Sequence, residues 1–175
     1  MIITACETTF GWVGLAASET GLLGLTLPRG TEAEALRPLQ GRHGLAQPDD
    51  GRLAELKVRL QAYFRGEDVT FDEWVLDGRP GTEFQRRAWQ ATRSIGRGQT
   101  RTYAELARAA GSPGAARAVG QAMARNPWPI IVPCHRVVGS SGQLTGFGGG
   151  LELKRRLLDM EKTRIWPTGG KVVSS

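Results

Sequence analysis

The stretch Ile130-Ile131-Val132-Pro133-Cys134-His135-Arg136-Val137-Val138 restricts the fold more than any other. Its five branched apolar residues demand burial from both sides. Pro133 interrupts them, because a ring nitrogen has no proton to give to a sheet ladder. The chain is therefore expected to turn at Pro133 and to hold Cys134 at the rim of a core. A thiol, an imidazole and a guanidinium then stand in succession. Cysteine works as the thiolate, the strongest nucleophile among ordinary side chains. A neighbouring imidazole can take its proton, and Arg136 adds positive potential. Two readings compete at this point. A cysteine in an apolar run is commonly an inert core residue. On extended backbone, moreover, residues i and i+1 face opposite ways. A direct Cys134–His135 bond thus requires a bent backbone or a bridging water.

The rest of the chain must supply the core that this stretch needs. At 175 residues and 40% hydrophobic content, one domain or two small ones fit, and disorder throughout is excluded. No run approaches the ~18 apolar residues of a membrane span, so no membrane partner is expected. The N-terminus, Met1-Ile2-Ile3-Thr4-Ala5-Cys6, lacks a basic region followed by a long apolar one, and no signal peptide is expected. Two cysteines do not build a disulfide framework, so a reducing, cytoplasmic setting fits. With Cys134 and His135 in one site, Cys6 and His43 alone cannot close a structural zinc site, and no metal is expected. Charge is unevenly divided. Residues 1–78 carry seven Lys/Arg against twelve Asp/Glu, a net of −5; residues 79–175 carry sixteen against five, a net of +11. A basic half rich in Arg points to a polyanion partner.

In the front part, Ile2–Ala5, Trp12–Ala17 and Gly21–Leu27 are short apolar runs about ten residues apart, and they predict a small antiparallel meander. A polar passage with Pro and Gly follows from Arg37 to Gly51, with His43 solvated in a loop. Leu53, Leu56, Leu60, Tyr63 and Phe64 then recur at helical spacing, after Asp49-Asp50 and before Gly66. Phe71 and Trp74-Val75-Leu76 are expected to return as a strand. Cys6 reads as a core or edge residue. No constellation here carries chemistry, and the expected role is structural.

Asp77-Gly78-Arg79-Pro80-Gly81 is a turn cluster and the expected domain boundary. Thr82 and Gln85 match a capping box for a helix with Phe84, Ala88, Trp89 and Ile95 on its apolar face. Thr102 and Glu105 form a second box, for a helix running to Ala110 and stopped by Gly111. Ser112 and Pro113 are expected to open a third, as N-cap and first helical residue, continuing to Arg125. Two short helices joined by a tight turn have helix-turn-helix form. The second is nearly bare: Ala115, Ala116, Ala118, Gly120 and Ala122 leave only Arg117 standing out. Such a cylinder suits close approach to a neighbouring helix or to nucleic acid. The basic context favours nucleic acid, and the few base-reading side chains imply low sequence specificity and a minor-groove seat. Asn126-Pro127-Trp128-Pro129 is a rigid turn into the Cys134 stretch. Gly139-Ser140-Ser141-Gly142 reads as a hairpin-like turn. In Thr145-Gly146-Phe147-Gly148-Gly149-Gly150 the glycines admit a ligand closely, and Phe147 offers a stacking face. A final helix from Leu151 to about Lys162 is expected to turn Leu153, Leu157, Leu158 and Met160 inward, with Glu161 at its end. Residues 164–175 read as a loose tail.

With these residues laid out, the chain resembles the O6-alkylguanine-DNA alkyltransferases. Pro133-Cys134-His135-Arg136-Val137-Val138, Ala116-Arg117-Ala118-Val119-Gly120, Asn126-Pro127 and Gly148-Gly149 carry the resemblance, which is strong over about residues 80–162. It implies an α+β protein. Residues 1–78 would form a ribonuclease H-like front domain with a small antiparallel sheet. Residues 79–163 would form a mostly helical DNA-binding and alkyl-acceptor domain, followed by the tail at 164–175. It implies permanent transfer of an alkyl group from O6 of guanine, and less readily O4 of thymine, to Cys134. Carried over by motif, His135 is the base, acting through a water. Glu161 orients His135, and Asn126 ties the helix-turn-helix to the site. Arg117 is the finger that fills the base stack, and Tyr103 helps rotate the nucleotide out and supplies a proton. Ala115, Ala116, Gly120 and Ser140 join them at the DNA. Pro129, Val137, Phe147 and Gly148 line the pocket. The implied partner is double-stranded DNA bearing alkylated guanine or thymine, bound by a monomer, with cooperativity along the DNA left open. No cofactor is implied. The chain departs from the pattern at Phe147, where the family often has Tyr, and in lacking the zinc ligands some front domains carry. The alternative is a helix-turn-helix lesion sensor or regulator that does no chemistry; a Cys–His hydrolase is a third reading.

Overall fold

The computed structural model describes residues 1–164 and 173–174. The chain is α+β and divides into two compact units, Met1–Asp77 with Thr163–Ser174, and Gly78–Lys162. Among the described residues no helix is long and apolar enough to cross a membrane.

The first unit is built on the meander. β1 (Ile2–Thr8), β2 (Gly11–Ala17) and β3 (Leu22–Leu25) pair antiparallel in that order, with Thr4 opposite Leu15 and Cys6 opposite Val13. Burial pushes the Cys6 thiol up to about 11, against the pull of the Lys57 charge, which leaves it an inert core group. α1 (Glu32–His43) lies on β2, in the stretch where a polar passage was expected from Arg37 onward. Pro38 and Gly41 conceal this helix in the sequence, since both disfavour helix interiors. A Thr31–Glu34 capping box starts it, and burial of Ala35 and Leu39 offsets the ring of Pro38. A Cβ at Gly14 would sit 2.4 Å from the Ala35 carbonyl oxygen, so only glycine lets the helix backbone come this near the strand. His43 is the half-buried last residue of α1, not a solvated loop residue.

α2 (Ala54–Phe64) buries Leu56, Leu60, Tyr63 and Phe64, as its spacing predicts. The expected strand at Trp74–Leu76 is a single bridge from Leu76 to Leu22. Buried Asp77 explains why the pairing stops there: it accepts hydroxyl protons from Ser18 at 2.8 Å and Thr20 at 3.1 Å and turns the chain away. In the tail, Thr163–Arg164 (β6) pairs antiparallel with Val173–Ser174 (β7) rather than running loose. The remainder of the tail, 165–172 and 175, lies outside the described residues.

The second unit holds α3 (Glu83–Arg93), α4 (Tyr103–Ala109), α5 (Ala116–Ala124) and α6 (Leu151–Glu161), with a two-residue parallel pair between β4 (Arg101–Thr102) and β5 (Val137–Val138). Both expected capping boxes, Thr82–Gln85 and Thr102–Glu105, are made. Each is worth about 1 kcal/mol. α5 begins at Ala116 rather than at Pro113, because Gly114 sits at φ +84°, outside any right-handed helix, and Ser112–Ala115 closes as a turn instead. Val119, Ala122 and Met123 face the core, so the bare surface of α5 is narrower than its composition suggests. Trp89 anchors α3 there, donating its ring N–H to the Ala122 carbonyl at 2.8 Å and meeting Trp128 edge-on at 5.5 Å. Gly139–Gly142 turns as expected but makes no hairpin, since β5 pairs with β4.

Candidate active site

The sequence Asn126–Val138 leaves α5 and folds back on itself in three short steps. Asn126 spans the first: its amide donates to the Val132 carbonyl at 2.8 Å while its oxygen accepts from the Trp128 N–H at 3.0 Å. Pro133 makes the second, an inverse γ-turn (φ −78°, ψ 68°) closed by Cys134 N–H donating to the Val132 carbonyl at 2.7 Å. Cys134–Arg136 makes the third, one turn of 3-10 helix. The extended backbone expected around Cys134 is thus replaced by a bent one. That removes the objection that neighbouring side chains must face opposite ways.

Behind the cysteine lies a buried ion cluster. His135 Nε2 is 2.7 Å from Glu161 Oε1, and both side chains are completely buried. Arg136 donates to the same carboxylate from Nε to Oε2 at 3.0 Å and from Nη2 to Oε1 at 2.9 Å, and from Nη1 to the Ile95 carbonyl at 2.5 Å. Burial alone would raise the Glu161 carboxyl. The neighbouring His135 and Arg136 outweigh it and hold the group well below the usual carboxylate range. A carboxylate facing Nε2 favours the tautomer with its proton there, which leaves Nδ1 as the basic nitrogen of the ring.

Cys134 faces a cleft of about 690 Å³, lined by Tyr103 from α4, by Ala116, Arg117 and Gly120 from α5, and by Thr145–Gly148. The sulfur's residue is 7% exposed. Burial pushes the Cys134 thiol up, opposed by a hydrogen bond from Asn126, by the Lys154 charge and by the backbone N–H groups of Cys134 and His135. The thiol therefore rests protonated and needs a base to act. Tyr103 stands over the cleft with its hydroxyl 3.1 Å from Thr145 Oγ1, which donates to it.

Most of the expected site residues meet here. Cys134, Tyr103, Arg117, Ala116, Gly120, Phe147 and Gly148 line one cleft, with His135, Glu161 and Asn126 behind it. Arg117 is exposed, as a projecting side chain requires. Pro129 and Val137 are buried and do not line the cleft, Ala115 caps α5, and Ser140 is exposed on the turn after β5. α6 differs from expectation. Its inner face is Lys154, Leu157 and Glu161, spaced by three and four, with Leu153, Leu158 and Met160 only half-buried. Sequence reasoning passed over Lys154. Fully buried, it donates to the Thr145 carbonyl at 2.9 Å and lies 6.0 Å from the Phe147 ring centre, fastening that wall of the cleft. Its place one heptad before Glu161 was the available signal, since both fall on one helix face.

Comparison with known proteins agrees over both units. Residues 1–77 match the ribonuclease-like domain, and residues 83–163 the DNA binding domain, of the family described as 6-O-methylguanine DNA methyltransferase. The chain is 41% identical over 160 residues to the constitutive methylated-DNA–protein-cysteine methyltransferase of Bacillus subtilis, covering 91% of this chain and 94% of that one. The corresponding protein of Mycobacterium leprae is 55% identical over 118 residues, covering 67% and 70%. Among solved structures, that of Mycobacterium tuberculosis OGT in complex with DNA has a TM-score of 0.78 at 42% identity, with 93% of each chain covered. The O6-methylguanine-DNA methyltransferase of Pyrococcus kodakaraensis has a TM-score of 0.62 at 30% identity, covering 91% and 97%.

Proposed function

This chain belongs to the methylated-DNA–protein-cysteine methyltransferase family, and from that premise we propose how its own residues carry out the transfer. It is a DNA-binding methyltransferase of DNA repair. The finer reading is a single-use reaction in the cytoplasm, in which one monomer takes one alkyl group from O6 of guanine, or less readily from O4 of thymine, in duplex DNA.

The exposed face of α5 enters the minor groove, and its small side chains allow close approach. The alkylated nucleotide leaves the stack, because its O6 is unreachable inside a duplex. Arg117 fills the gap and Tyr103 crowds the phosphate, which offsets part of the few kcal/mol of unstacking. The base lies against Phe147 with its alkyl carbon toward Cys134. His135 Nδ1 takes the thiol proton through a bridging water, and Glu161 stabilises the imidazolium formed. The sulfur lone pair forms the S–C bond as the C–O6 bond breaks, its electrons passing into the base. Tyr103 delivers a proton to the leaving guanine and is restored by the proton that His135 releases to solvent, so that one proton passes in net from thiol to base. A thioether on Cys134 and an unmodified guanine remain, and no further reactant is consumed.

One observation supports this above others: the sole cysteine of the basic half opens into a cleft between α5 and the glycine loop, with a buried His135–Glu161 pair directly behind it. Intact-mass measurement after incubation with DNA containing methylguanine tests it. One methyl gained per molecule, located on Cys134, is the expected result; an unchanged mass with lesion bound ends the proposal.

The finger role gives a second expectation. Arg117→Ala should slow repair of a lesion in duplex DNA by roughly 10- to 100-fold, on the scale of ~1.4–3 kcal/mol lost from stack filling. Reaction with free alkylguanine base should keep its rate. Equal slowing of both reactions would place Arg117 in the chemistry or the fold instead.

A further inference from the structure

Ile130 stands at φ +75°, the only non-glycine residue with positive φ among the described residues. This conformation is costly for any residue with a Cβ, and most of all for a β-branched one. It persists only where the surroundings over-determine it, and such sites cluster where geometry matters to function. Here the surroundings do so. The Ile130 side chain is 3% exposed. Val132 N–H donates to the Trp128 carbonyl at 2.8 Å across the turn, and Asn126 grips both ends of that turn. The Val132 carbonyl then accepts the Cys134 N–H at 2.7 Å. The carbonyl aimed by the Ile130 turn is thus the one from which the nucleophile's own backbone hangs.

We propose that Ile130 is a positioning residue for the transfer: its strained backbone, locked by a buried side chain, holds the Trp128–Val132 turn in one conformation and so fixes the place of the Cys134 sulfur. The proposal rests on Cys134 being the alkyl acceptor. Glycine would make the same turn without strain, but it would also let the turn take other conformations, and the sulfur would wander with it. Small misplacements of a reacting atom are expensive in rate.

Comparing Ile130→Ala with Ile130→Gly separates strain from packing. Both lose the same buried side chain, and only Gly loses the strain. At an ordinary buried position Gly is the less stable of the two; at positive φ the order reverses. Three readouts are taken: thermal melting, the rate of Cys134 carboxamidomethylation by iodoacetamide with Cys6 followed separately by peptide mass, and methyl uptake from methylguanine duplex. The Gly variant is expected to melt above the Ala variant and yet to react roughly tenfold more slowly in both assays. A Gly variant that melts below Ala, or one that matches Ala in the iodoacetamide rate, overturns the proposal. If wild-type protein gains no methyl from DNA, the acceptor reading fails, while the iodoacetamide comparison still decides the role of Ile130. Should neither variant fold, the intraresidue amide–Hα NOE of Ile130 in wild-type protein decides: the strong NOE of a left-handed φ sustains the proposal, and the weaker one of a negative φ overturns it.

Discussion

Cys134→Ser is expected to take up no methyl from alkylated DNA while binding the duplex as wild type does. The two side chains are close in size, so the cleft keeps its shape and α5 keeps its surface. What changes is the nucleophile. A thiol gives up its proton within reach of an imidazole, whereas a serine hydroxyl stays protonated there and is the poorer nucleophile. Burial raises the Cys134 thiol further, so the His135–Glu161 pair has to draw off its proton, and a hydroxyl asks more of that pair than it can give. Intact mass and a titration of labelled duplex check the two halves of the expectation separately. A lesion sensor without chemistry would behave identically before and after the change. Wild-type and variant proteins that both bind the lesion and both keep their mass would therefore favour that reading over transfer. The raised thiol carries a pH signature too. The folded state holds the proton more tightly than the unfolded chain, so this contribution is present below the ordinary thiol value of 9.0 and is lost as pH rises beyond it. Cys134→Ser should remove that part of the alkaline loss of stability.

Glu161→Gln is expected to slow methyl uptake by about 10²-fold or more and to cost about 3–5 kcal/mol of stability. The reason is that one buried carboxylate serves both an imidazole and a guanidinium. It accepts from His135 at 2.7 Å and from two nitrogens of Arg136 at 2.9 and 3.0 Å. Glutamine keeps the size but removes the charge, and its NH₂ must face one of these donors. Arg136 is then left with an uncompensated charge beside the core, and an imidazolium at His135 is no longer favoured when the thiol proton arrives. The sign with pH follows from the direction of the shift. The folded carboxyl titrates below its ordinary 4.5, so its contribution is complete above that value and is lost as pH falls below it. Urea unfolding at pH 7 and again at roughly pH 3 reads this, and the gap between wild type and variant should narrow in acid. A gap that stays constant, or a variant with wild-type uptake, would show that Glu161 neither stabilises through its charge nor supports His135.

Much of this molecule is written locally. The two capping boxes of the basic half, the period-3.6 face of α2, the meander and the stop at Gly111 each depend on residues within a few positions of one another, and each stands as its sequence predicts. Local reading failed where a tertiary contact or an adjacent glycine's backbone overrode a local preference. Pro38 argues against α1, but burial of Leu39 against the sheet outweighs it. Pro113 argues for an earlier start to α5, but the backbone at Gly114 forbids it. On α6 the leucines suggested the inner face, and yet Lys154 and Glu161 lie on it.

The chemistry available is legible in the residues alone: one thiol beside one imidazole, a basic half to carry them, a bare helix with a single projecting arginine, and a glycine loop with one aromatic ring. How those groups serve one another is set by the folded chain. It bent the backbone at Cys134, set Arg136 and His135 on the same carboxylate, and turned Lys154 inward onto the Thr145 carbonyl. A charged side chain enters a core only where partners from distant parts of the chain await it. Those partners, Ile95 for Arg136 and Thr145 for Lys154, are not neighbours in sequence, and no local pattern announces them.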